Sequence, residues 1–243
     1  MPDKRTHRGA APQDRRLFAT DALAGLRAAT GDLSWLLGRE YAEPSSRKLV
    51  GDRYGLTARQ RNAVARCACS DEALRRRREH CARIEQIGGQ AIWLDGYNVL
   101  TTVETALAGG VVLAARDGTF RDIASVHGTW RKVHETEPAI DLIGRTLAEL
   151  GAGPCRWYLD KPVSNSGRLK QLIGRVADAN GWEWDVQLVA DPDPVLGAAD
   201  QLVATADSVI LDGCARWVNL ARAVIERHVP EANVIDLQVE GPA

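Results

Sequence analysis

The second half of the chain alternates short apolar runs with helical patterns, and this alternation limits the fold more than any other feature. The runs that predict strands lie at residues 91–94, 111–114, 155–159, 186–189, 202–204 and 233–235, and helical patterns occupy 98–107, 136–150, 167–180 and 213–228. Strands that alternate with helices are typical of a mostly parallel sheet covered on both faces. The sequence therefore predicts an α/β, Rossmann-like fold for this half.

The first half has a different pattern, and Gly88-Gly89 separates the two. Residues 1–15 are polar and predict a disordered tail, while leucines at helical spacing begin a helix at Arg16. We expect a chain break at residues 43–46, a basic loop at 47–54, and further helices beginning at Thr57 and Asp71. The predicted organisation is a tail at 1–15, a basic helical module at 16–89 and an α/β domain at 90–243.

Charge is distributed unevenly between these parts. Residues 1–90 contain 18 Lys and Arg against 11 Asp and Glu, whereas residues 91–243 contain 13 against 21. A basic module beside an acidic one is common in proteins that handle nucleic acid, although both excesses could equally be solvated surface. On the first interpretation, Lys48, Arg53 and the arginine run 75–78 follow a nucleic-acid backbone.

Composition excludes several classes of protein. No apolar run approaches the ~20 residues that span a bilayer, and the basic N-terminus lacks the apolar core of a signal peptide. We therefore expect a cytoplasmic protein that does not associate with membranes. Five cysteines are too few and too irregularly spaced for a disulfide framework, and the spacing of Cys67, Cys69, His80 and Cys81 is poor for zinc.

Aspartates follow the predicted strands at the points where the strands end. Asp95, Asp160, Asp191 and Asp207 each follow an apolar run. The carboxyl ends of parallel strands meet at one edge of a sheet, where ligands bind, and clustered carboxylates favour Mg²⁺ or Mn²⁺. The alternative interpretation is that each aspartate caps the next helix. Further acidic residues could complete a metal site, and these are Glu104, Asp117, Asp122 and Asp193.

A polar loop follows the third of the strands predicted above, at residues 161–167. It contains Ser164, Asn165 and Ser166 and leads into a helix that carries Arg168 and Lys170. Backbone amides at such a helix N-terminus can bind a phosphate, with the hydroxyls and basic side chains adding to the attraction. A helix start with no ligand is the alternative.

The motif DGYNVL at residues 95–100 resembles the opening motif of PIN-like and NYN-type nuclease domains. Those are Rossmann-like folds in which acidic residues at strand ends bind Mg²⁺ or Mn²⁺ and cleave RNA. The resemblance implies that Asp95, Asp160 and Asp207 bind metal and that Glu104 is the acidic residue on the following helix. The polar loop after Asp160 departs from the usual PIN pattern, and Glu104, Asp117 and Asp122 compete for the middle acidic position.

The whole chain from about residue 17 also resembles an uncharacterised prokaryotic family. In that family a helical part with KLVGDRY, here at residues 48–54, precedes a part with DGYNVL, PVSNSG and TADS, here at 95–100, 162–167 and 205–208. This resemblance implies no particular activity.

Together these features predict a metal-dependent phosphodiesterase that acts on RNA. The predicted catalytic residues are Asp95, Asp160, Asp207 and Glu104, with Asp95, Asp160, Asp207 and Asp193 as ligands of Mg²⁺ or Mn²⁺. The predicted phosphate and RNA contacts are Asn98, Ser164, Asn165, Ser166, Arg168, Lys48 and Arg53. Two alternatives stay open, a non-catalytic RNA-binding or adaptor protein and a hydrolase of a small phosphorylated metabolite; the sequence also leaves a homodimer open.

Overall fold

The computed structural model describes residues 7–123 and 129–239, which form eleven α-helices and eight strands. The helices are α1 Asp14–Leu17, α2 Thr20–Leu37, α3 Glu43–Arg53, α4 Ala58–Cys67, α5 Asp71–His80, α6 Gly96–Leu107, α7 Thr136–Glu149, α8 Ser166–Asn180, α9 Pro192–Gly197, α10 Ser208–Gly213 and α11 Leu220–His228. The strands are β1 Ile92–Asp95, β2 Val112–Ala114, β3 Phe120–Asp122, β4 Cys155–Asp160, β5 Trp184–Val189, β6 Leu202–Ala204, β7 Trp217–Val218 and β8 Val234–Asp236.

Five strands form an all-parallel sheet in the order β5-β4-β1-β6-β7. Counted along the chain within this sheet, the order is 3-2-1-4-5, as in the first five strands of a Rossmann fold. The chain reverses its direction of winding between β1 and β6, and the carboxyl ends of these neighbouring strands flank the crevice where such folds bind ligands. The predicted α/β, Rossmann-like class is confirmed.

Both faces of this sheet are covered, because side chains along each strand point alternately to opposite sides. Leu94 and Trp157 pack on one side with residues of α6, α7, α8 and α11. Tyr158, Val203 and Trp217 pack on the other side with residues of α9 and α10. The apolar runs seen in the sequence are therefore strands buried on two faces.

The other three strands form a separate sheet in the order β3-β2-β8. Strand β2 is antiparallel to β3 and parallel to β8. Leu113 and Ile235 of this small sheet share a core with Leu33 of α2 and Val64 of α4. The helical part of the chain is thus completed by strands from the second half, and β2 does not contribute to the edge where Asp95 lies.

Several local predictions were wrong. Residues 43–53, expected as a chain break and a loop, form helix α3. Pro44 lies in its first turn, where a backbone N–H would have no partner within the helix and none is lost. The helix expected at 213–228 begins only at Leu220, since residues 217–218 form the short strand β7, and β3, α9 and α10 were not predicted. Thr57 does begin a helix, because it forms a capping box with Gln60, and Ser70 caps the helix that begins at Asp71.

The N-terminal segment also differs from the predicted disordered tail over residues 7–15. Arg8 forms an ion pair with the fully buried Glu104, and the buried Asp14 pairs with Arg59. Residues 1–6 of that predicted tail lie outside the described residues. Among the helices described, none is both long and apolar enough to cross a bilayer.

Candidate functional site

Asp95 and Thr205 meet across the point where the strand order reverses. Asp95 is the last residue of β1, and Thr205 directly follows β6. The Thr205 hydroxyl donates a hydrogen bond of 2.8 Å to Oδ2 of Asp95 and accepts one of 3.0 Å from the backbone N–H of Asp207. One hydroxyl therefore links the two strand-end aspartates.

Asn98 holds the same loop from the first turn of α6. Its Oδ1 accepts a 2.9 Å hydrogen bond from the backbone N–H of Ala206. The DGYN and TADS motifs therefore contact one another directly, which fixes residues 205–207 against β1 and α6. Asn98, predicted to contact phosphate, uses its side-chain oxygen to hold this loop.

Gly96 allows α6 to begin directly against β4. A Cβ atom at this position would lie 2.5 Å from Cδ2 of Leu159 and 2.8 Å from the carbonyl oxygen of Tyr158. The Leu159 side chain could rotate, but the contact with the backbone oxygen of Tyr158 cannot be relieved without moving the backbone, so a glycine is favoured between Asp95 and the rest of the helix. This close approach places Asp95 beside the end of β4, where Asp160 lies.

Asp207 and Asp191 cap the helices that follow them, as the alternative interpretation predicted. Asp207 accepts hydrogen bonds of 2.8 Å from Val209 N–H and 3.4 Å from Ile210 N–H through its Oδ1. Asp191 accepts one of 3.1 Å from Asp193 N–H, also through Oδ1. Each cap uses one carboxylate oxygen, so capping is compatible with a ligand at the other oxygen.

The aspartates at this edge interact electrostatically. Burial, together with the charges of Asp207 and Asp193, raises the pKa of Asp95 to about 7 against the opposing effect of the Thr205 hydrogen bond. Burial also raises the pKa of Asp193 to about 6, together with the charges of Asp207, Asp191 and Asp160. These five carboxylates, Asp95, Asp160, Asp191, Asp193 and Asp207, are named below the acidic edge.

A buried aspartate elsewhere in the fold shows the opposite behaviour. Burial raises the pKa of Asp117, but the guanidinium groups of Arg121 and Arg77 outweigh that effect and lower it to about 2. Asp117 lies 2.7 Å from a nitrogen of each arginine. Among the ion pairs of the described residues, which include those of Asp117 with Arg77 and Arg121, none involves a carboxylate of the acidic edge. Asp117 is neutralised by the protein itself, whereas the acidic edge is not.

The structure does not bring the other candidate carboxylates to the acidic edge. Glu104 lies about 12 Å along α6 from the helix start, and it accepts a 2.5 Å hydrogen bond from Thr136 besides its ion pair with Arg8. Asp122 accepts hydrogen bonds from Thr101 and Thr102. Asp117 follows β2 and Asp122 ends β3, and both strands belong to the small sheet. The sequence pattern misplaced the two aspartates for that reason.

The acidic edge does not form a closed metal cage. Within residues 7–123 and 129–239, no three His, Cys, Asp or Glu side chains lie together in an arrangement that could hold a metal ion. Cys67, Cys69, His80 and Cys81 therefore form no such group either, and Cys67 and Cys69 are buried free thiols. What the edge offers is carboxylate oxygens that share one crevice.

The polar loop after β4 makes internal contacts. The Asn165 side-chain amide donates to the carbonyl oxygen of Trp130 over 3.0 Å, and the Ser166 hydroxyl donates to that of Lys161 over 3.3 Å. Ser164 is exposed, as are Arg168 and the following Lys170. Of the predicted phosphate contacts in this loop, Ser164 and Arg168 face solvent beside the C-terminal end of β4.

The basic residues of the helical part are largely paired. Lys48 lies 2.8 Å from Asp52, and Arg53 lies 3.4 Å from Asp32. Both are on α3, which packs on α2 and α4. Within the arginine run 75–78, Arg77 is buried and paired with Asp117 and Asp212, so the prediction that it follows a nucleic-acid backbone is wrong for this residue. For Arg75, Arg76 and Arg78 it stays a prediction.

Sequence reasoning did not predict the contacts of three residues near this edge, namely Thr205, Arg77 and Arg121. Thr205 stands in the TADS motif and could have been noticed as the residue between a buried strand and a capping aspartate. Arg77 and Arg121 had no such signal, because one lies in a run of four arginines and the other in a strand that was not predicted.

Fold and site together define the chain as an N-terminally extended α/β protein with an acidic edge at the reversal point of a Rossmann-like sheet. A family model described as "Domain of unknown function (DUF5616)" matches residues 84–223, more than half of the chain, and the protein belongs to that family. A second model, "Protein of unknown function (DUF434)", matches residues 25–80. Membership of an uncharacterised family, expected from the motifs, is thereby confirmed.

A relative from Methanocaldococcus jannaschii has the description "Uncharacterized protein MJ0935". It is 28% identical over 180 residues, which cover 74% of this chain and 86% of the relative. The similarity therefore extends through both parts of the molecule. No solved structure matches the chain.

Proposed function

We propose that this protein is a metal-dependent phosphodiesterase that cleaves RNA at the acidic edge. The observation that carries the proposal is the mutual effect of Asp95, Asp193 and Asp207, whose charges meet at the crevice of a Rossmann-like sheet. Such charges repel one another unless a proton or a cation lies among them. Perturbed carboxylates in a crevice are also typical of functional sites.

The donor groups fit a hard divalent cation. Carboxylate oxygens are the ligands that Mg²⁺ and Mn²⁺ prefer. Mg²⁺ commonly binds through one or two carboxylates and completes its shell with water and substrate phosphates, so a closed cage of three side chains is not required. Asp95 and Asp207 would hold the ion, and Asp160 and Asp193 would act through water molecules of its shell. When bound, the ion would activate water and stabilise the charge on the phosphate.

The residues around the edge keep these carboxylates in place. The Thr205 hydroxyl orients the carboxylate of Asp95 through its 2.8 Å hydrogen bond. Asp207 is oriented by the N-terminal amides of α10, which engage only its Oδ1. Asp95 is buried, so its charge is screened less by water and attracts a cation more strongly.

RNA is the substrate we propose on two grounds. The DGYN motif at the end of β1 resembles the opening motif of PIN-like and NYN-type nucleases, and here it contacts the loop after β6 that carries Asp207. Exposed Arg168 and Lys170 follow β4 at the start of α8, where positive charge and helix amides attract phosphate. Lys48 and Arg53 contribute less on this view, because each is already paired with an aspartate.

The proposal is tested by cleavage of labelled single-stranded RNA in Mn²⁺, with and without chelator. We expect chelator-sensitive cleavage that falls more than about 100-fold in Asp95→Asn, since that change removes a negative ligand of the ion. Asp178→Asn, the same charge change at an exposed position on α8, is the matched control and should cleave as the wild type does.

Different outcomes separate the alternatives. Cleavage by Asp95→Asn at the wild-type rate would refute this site. RNA binding that weakens with salt, without turnover in any divalent cation, would identify a non-catalytic RNA-binding protein. Turnover of small phosphate esters without RNA binding would identify a hydrolase of phosphorylated metabolites.

A further inference from the structure

We infer that Arg77 is a positioning residue through which the helical part of the chain holds the segment that carries Asp207. This segment, residues 205–213, is named the Asp207 segment. The inference rests on the proposed function only for its consequence, namely that Arg77 affects metal binding at a site that it does not touch.

Arg77 contacts the Asp207 segment through a bidentate hydrogen bond and a further backbone contact. Its Nε and Nη2 atoms donate hydrogen bonds of 2.8 Å each to the two carboxylate oxygens of Asp212, near the end of α10. Its Nη2 also lies 3.4 Å from the carbonyl oxygen of Ser208, the first residue of α10. The guanidinium group thus contacts both ends of a six-residue helix.

Asp117 couples this contact to a second arginine. Oδ2 of Asp117 accepts 2.7 Å hydrogen bonds from Arg77 Nη1 and from Arg121 Nη2. The Nε of Arg121 donates over 2.7 Å to the carbonyl oxygen of Ala206. Arg77, Asp117 and Arg121 are all at least nine-tenths buried, and these three residues are named the buried triad.

Ala206, the residue before Asp207, is therefore hydrogen-bonded to side chains through both its backbone N–H and its carbonyl oxygen. Asn98 accepts from the N–H of Ala206, while Arg121 donates to its carbonyl. The first hydrogen bond comes from α6, beside the acidic edge, and the second comes from the buried triad. Since Asp207 N–H also bonds Thr205, the backbone that aims the Asp207 carboxylate has few remaining degrees of freedom.

Arg77 lies on α5, so this arrangement links the helical part to the acidic edge. The backbone carbonyl of Arg77 accepts a 2.7 Å hydrogen bond from Trp217 Nε1, which also fixes α5 against the edge strand β7. A lysine could keep the charge but not the planar fork that engages Asp212 and Asp117 together. The helical part thus acts on the site through geometry and not through contact with substrate.

The test measures amide hydrogen exchange in the full-length chain, in chelator, comparing Arg77→Lys with Arg78→Lys. Arg78 is the exposed neighbour on the same helix and makes a matched control. In Arg77→Lys we expect the amides of Asp207, Val209 and Ile210 to exchange about tenfold faster or more, while those of α8 keep their wild-type rates. Arg78→Lys should match the wild type throughout.

Asp212→Asn provides a second variant if Arg77→Lys does not fold. Asp212 is partly exposed, and its loss removes the forked contact while Arg77 keeps Asp117. The same acceleration confined to the Asp207 segment is expected. Wild-type exchange of this segment in both Arg77→Lys and Asp212→Asn, or acceleration spread evenly over α8 as well, would overturn the inference.

Mn²⁺ affinity then separates this inference from the proposed function. Titration should show binding to the wild type and an affinity about tenfold lower in Arg77→Lys and Asp212→Asn, as for groups that orient metal ligands. Wild-type affinity in variants whose segment exchanges faster would overturn the claim that Arg77 positions the site. No Mn²⁺ binding by the wild type would refute the metal site instead, leaving the exchange result to decide whether Arg77 holds the segment.

Discussion

Thr205 donates to the carboxylate of Asp95 and accepts from the backbone of Asp207, so one hydroxyl joins the ends of two parallel strands. The other links between these strand ends are the pairing of β1 with β6 and the Asn98–Ala206 hydrogen bond, and neither of them acts on the carboxylate of Asp95. Orientation of the two aspartates relative to one another therefore depends on this side chain.

Replacing Thr205 with valine keeps the shape of the side chain and removes the hydroxyl. Asp95 and the N–H of Asp207 then lose their partner, and we expect the free energy of unfolding to fall by about 1–3 kcal/mol. Mn²⁺ affinity should fall about tenfold or more. Urea denaturation and metal titration measure the two effects.

Thr30→Val is the control for this change. Thr30 is fully buried, and within the described residues its hydroxyl bonds only the carbonyl of Leu26 one turn earlier in α2. We expect at most about 1 kcal/mol of destabilisation and an unchanged Mn²⁺ affinity. Equal losses of affinity in both variants would contradict an orienting role of Thr205.

Stability in chelator should depend on pH through Asp95. Its pKa is about 7 in the folded protein and close to 3.8 in the unfolded chain, so the folded state binds more protons between these values. The free energy of unfolding should therefore fall as pH rises from about 4 to about 7 and level off above that range. Asp193, with a pKa of about 6, acts in the same direction.

Urea denaturation of the wild type and Asp95→Asn between pH 5 and pH 8 checks this prediction. The variant cannot ionise at residue 95, so its stability should decline less over the interval. Mn²⁺ competes with the proton for the carboxylate, so its stabilising effect on the wild type should be larger at pH 8 than at pH 6. Parallel pH profiles for the two proteins would contradict the assignment of this titration to Asp95.

The strand ends of the parallel sheet were predictable because the pattern that marks them is local. A buried apolar run followed by an aspartate identified Asp95, Asp160 and Asp207. Sheet membership was not predictable, because nothing in the run at β2 distinguishes a strand of the small sheet from one of the large sheet. Asp117 and Asp122 were misplaced for that reason.

Pairing across long sequence distances was equally invisible. Glu104 resembled a site carboxylate, but it is neutralised by Arg8, 96 residues away. Arg77 resembled part of a solvated arginine run, yet it meets Asp117 and Asp212, which lie 40 and 135 residues along the chain. Helical periodicity gives the direction of a side chain only after the packing of its helix is known.

Asp117→Asn should destabilise the protein strongly. The change removes the charge that neutralises Arg77 and Arg121 in the interior, and loss of one partner from a buried ion pair costs about 3–5 kcal/mol. Asp141→Asn is the matched control, because Asp141 pairs with the exposed Arg145 one turn away on α7. That control should lose less than about 1 kcal/mol in urea denaturation. Similar losses in the two variants would contradict the central position of Asp117.

Tyr97→Phe should leave stability unchanged or raise it slightly. Tyr97 belongs to the core beneath the acidic edge, and within the described residues its buried hydroxyl has no hydrogen-bond partner. Burial and the charge of Asp160 raise the pKa of this hydroxyl, so it stays protonated. Removal of an unpaired buried hydroxyl gains up to about 1 kcal/mol in the free energy of unfolding.

Tyr54→Phe is the comparison variant for Tyr97→Phe, because the Tyr54 hydroxyl has a partner and donates a 2.9 Å hydrogen bond to Asp32. That variant should lose about 1 kcal/mol, which gives the two tyrosines effects of opposite sign. Urea denaturation at pH 7 measures both. A loss above about 1 kcal/mol in Tyr97→Phe would mean that its hydroxyl has a partner in solution, and Asp160 would then be the acceptor to test with Asp160→Asn.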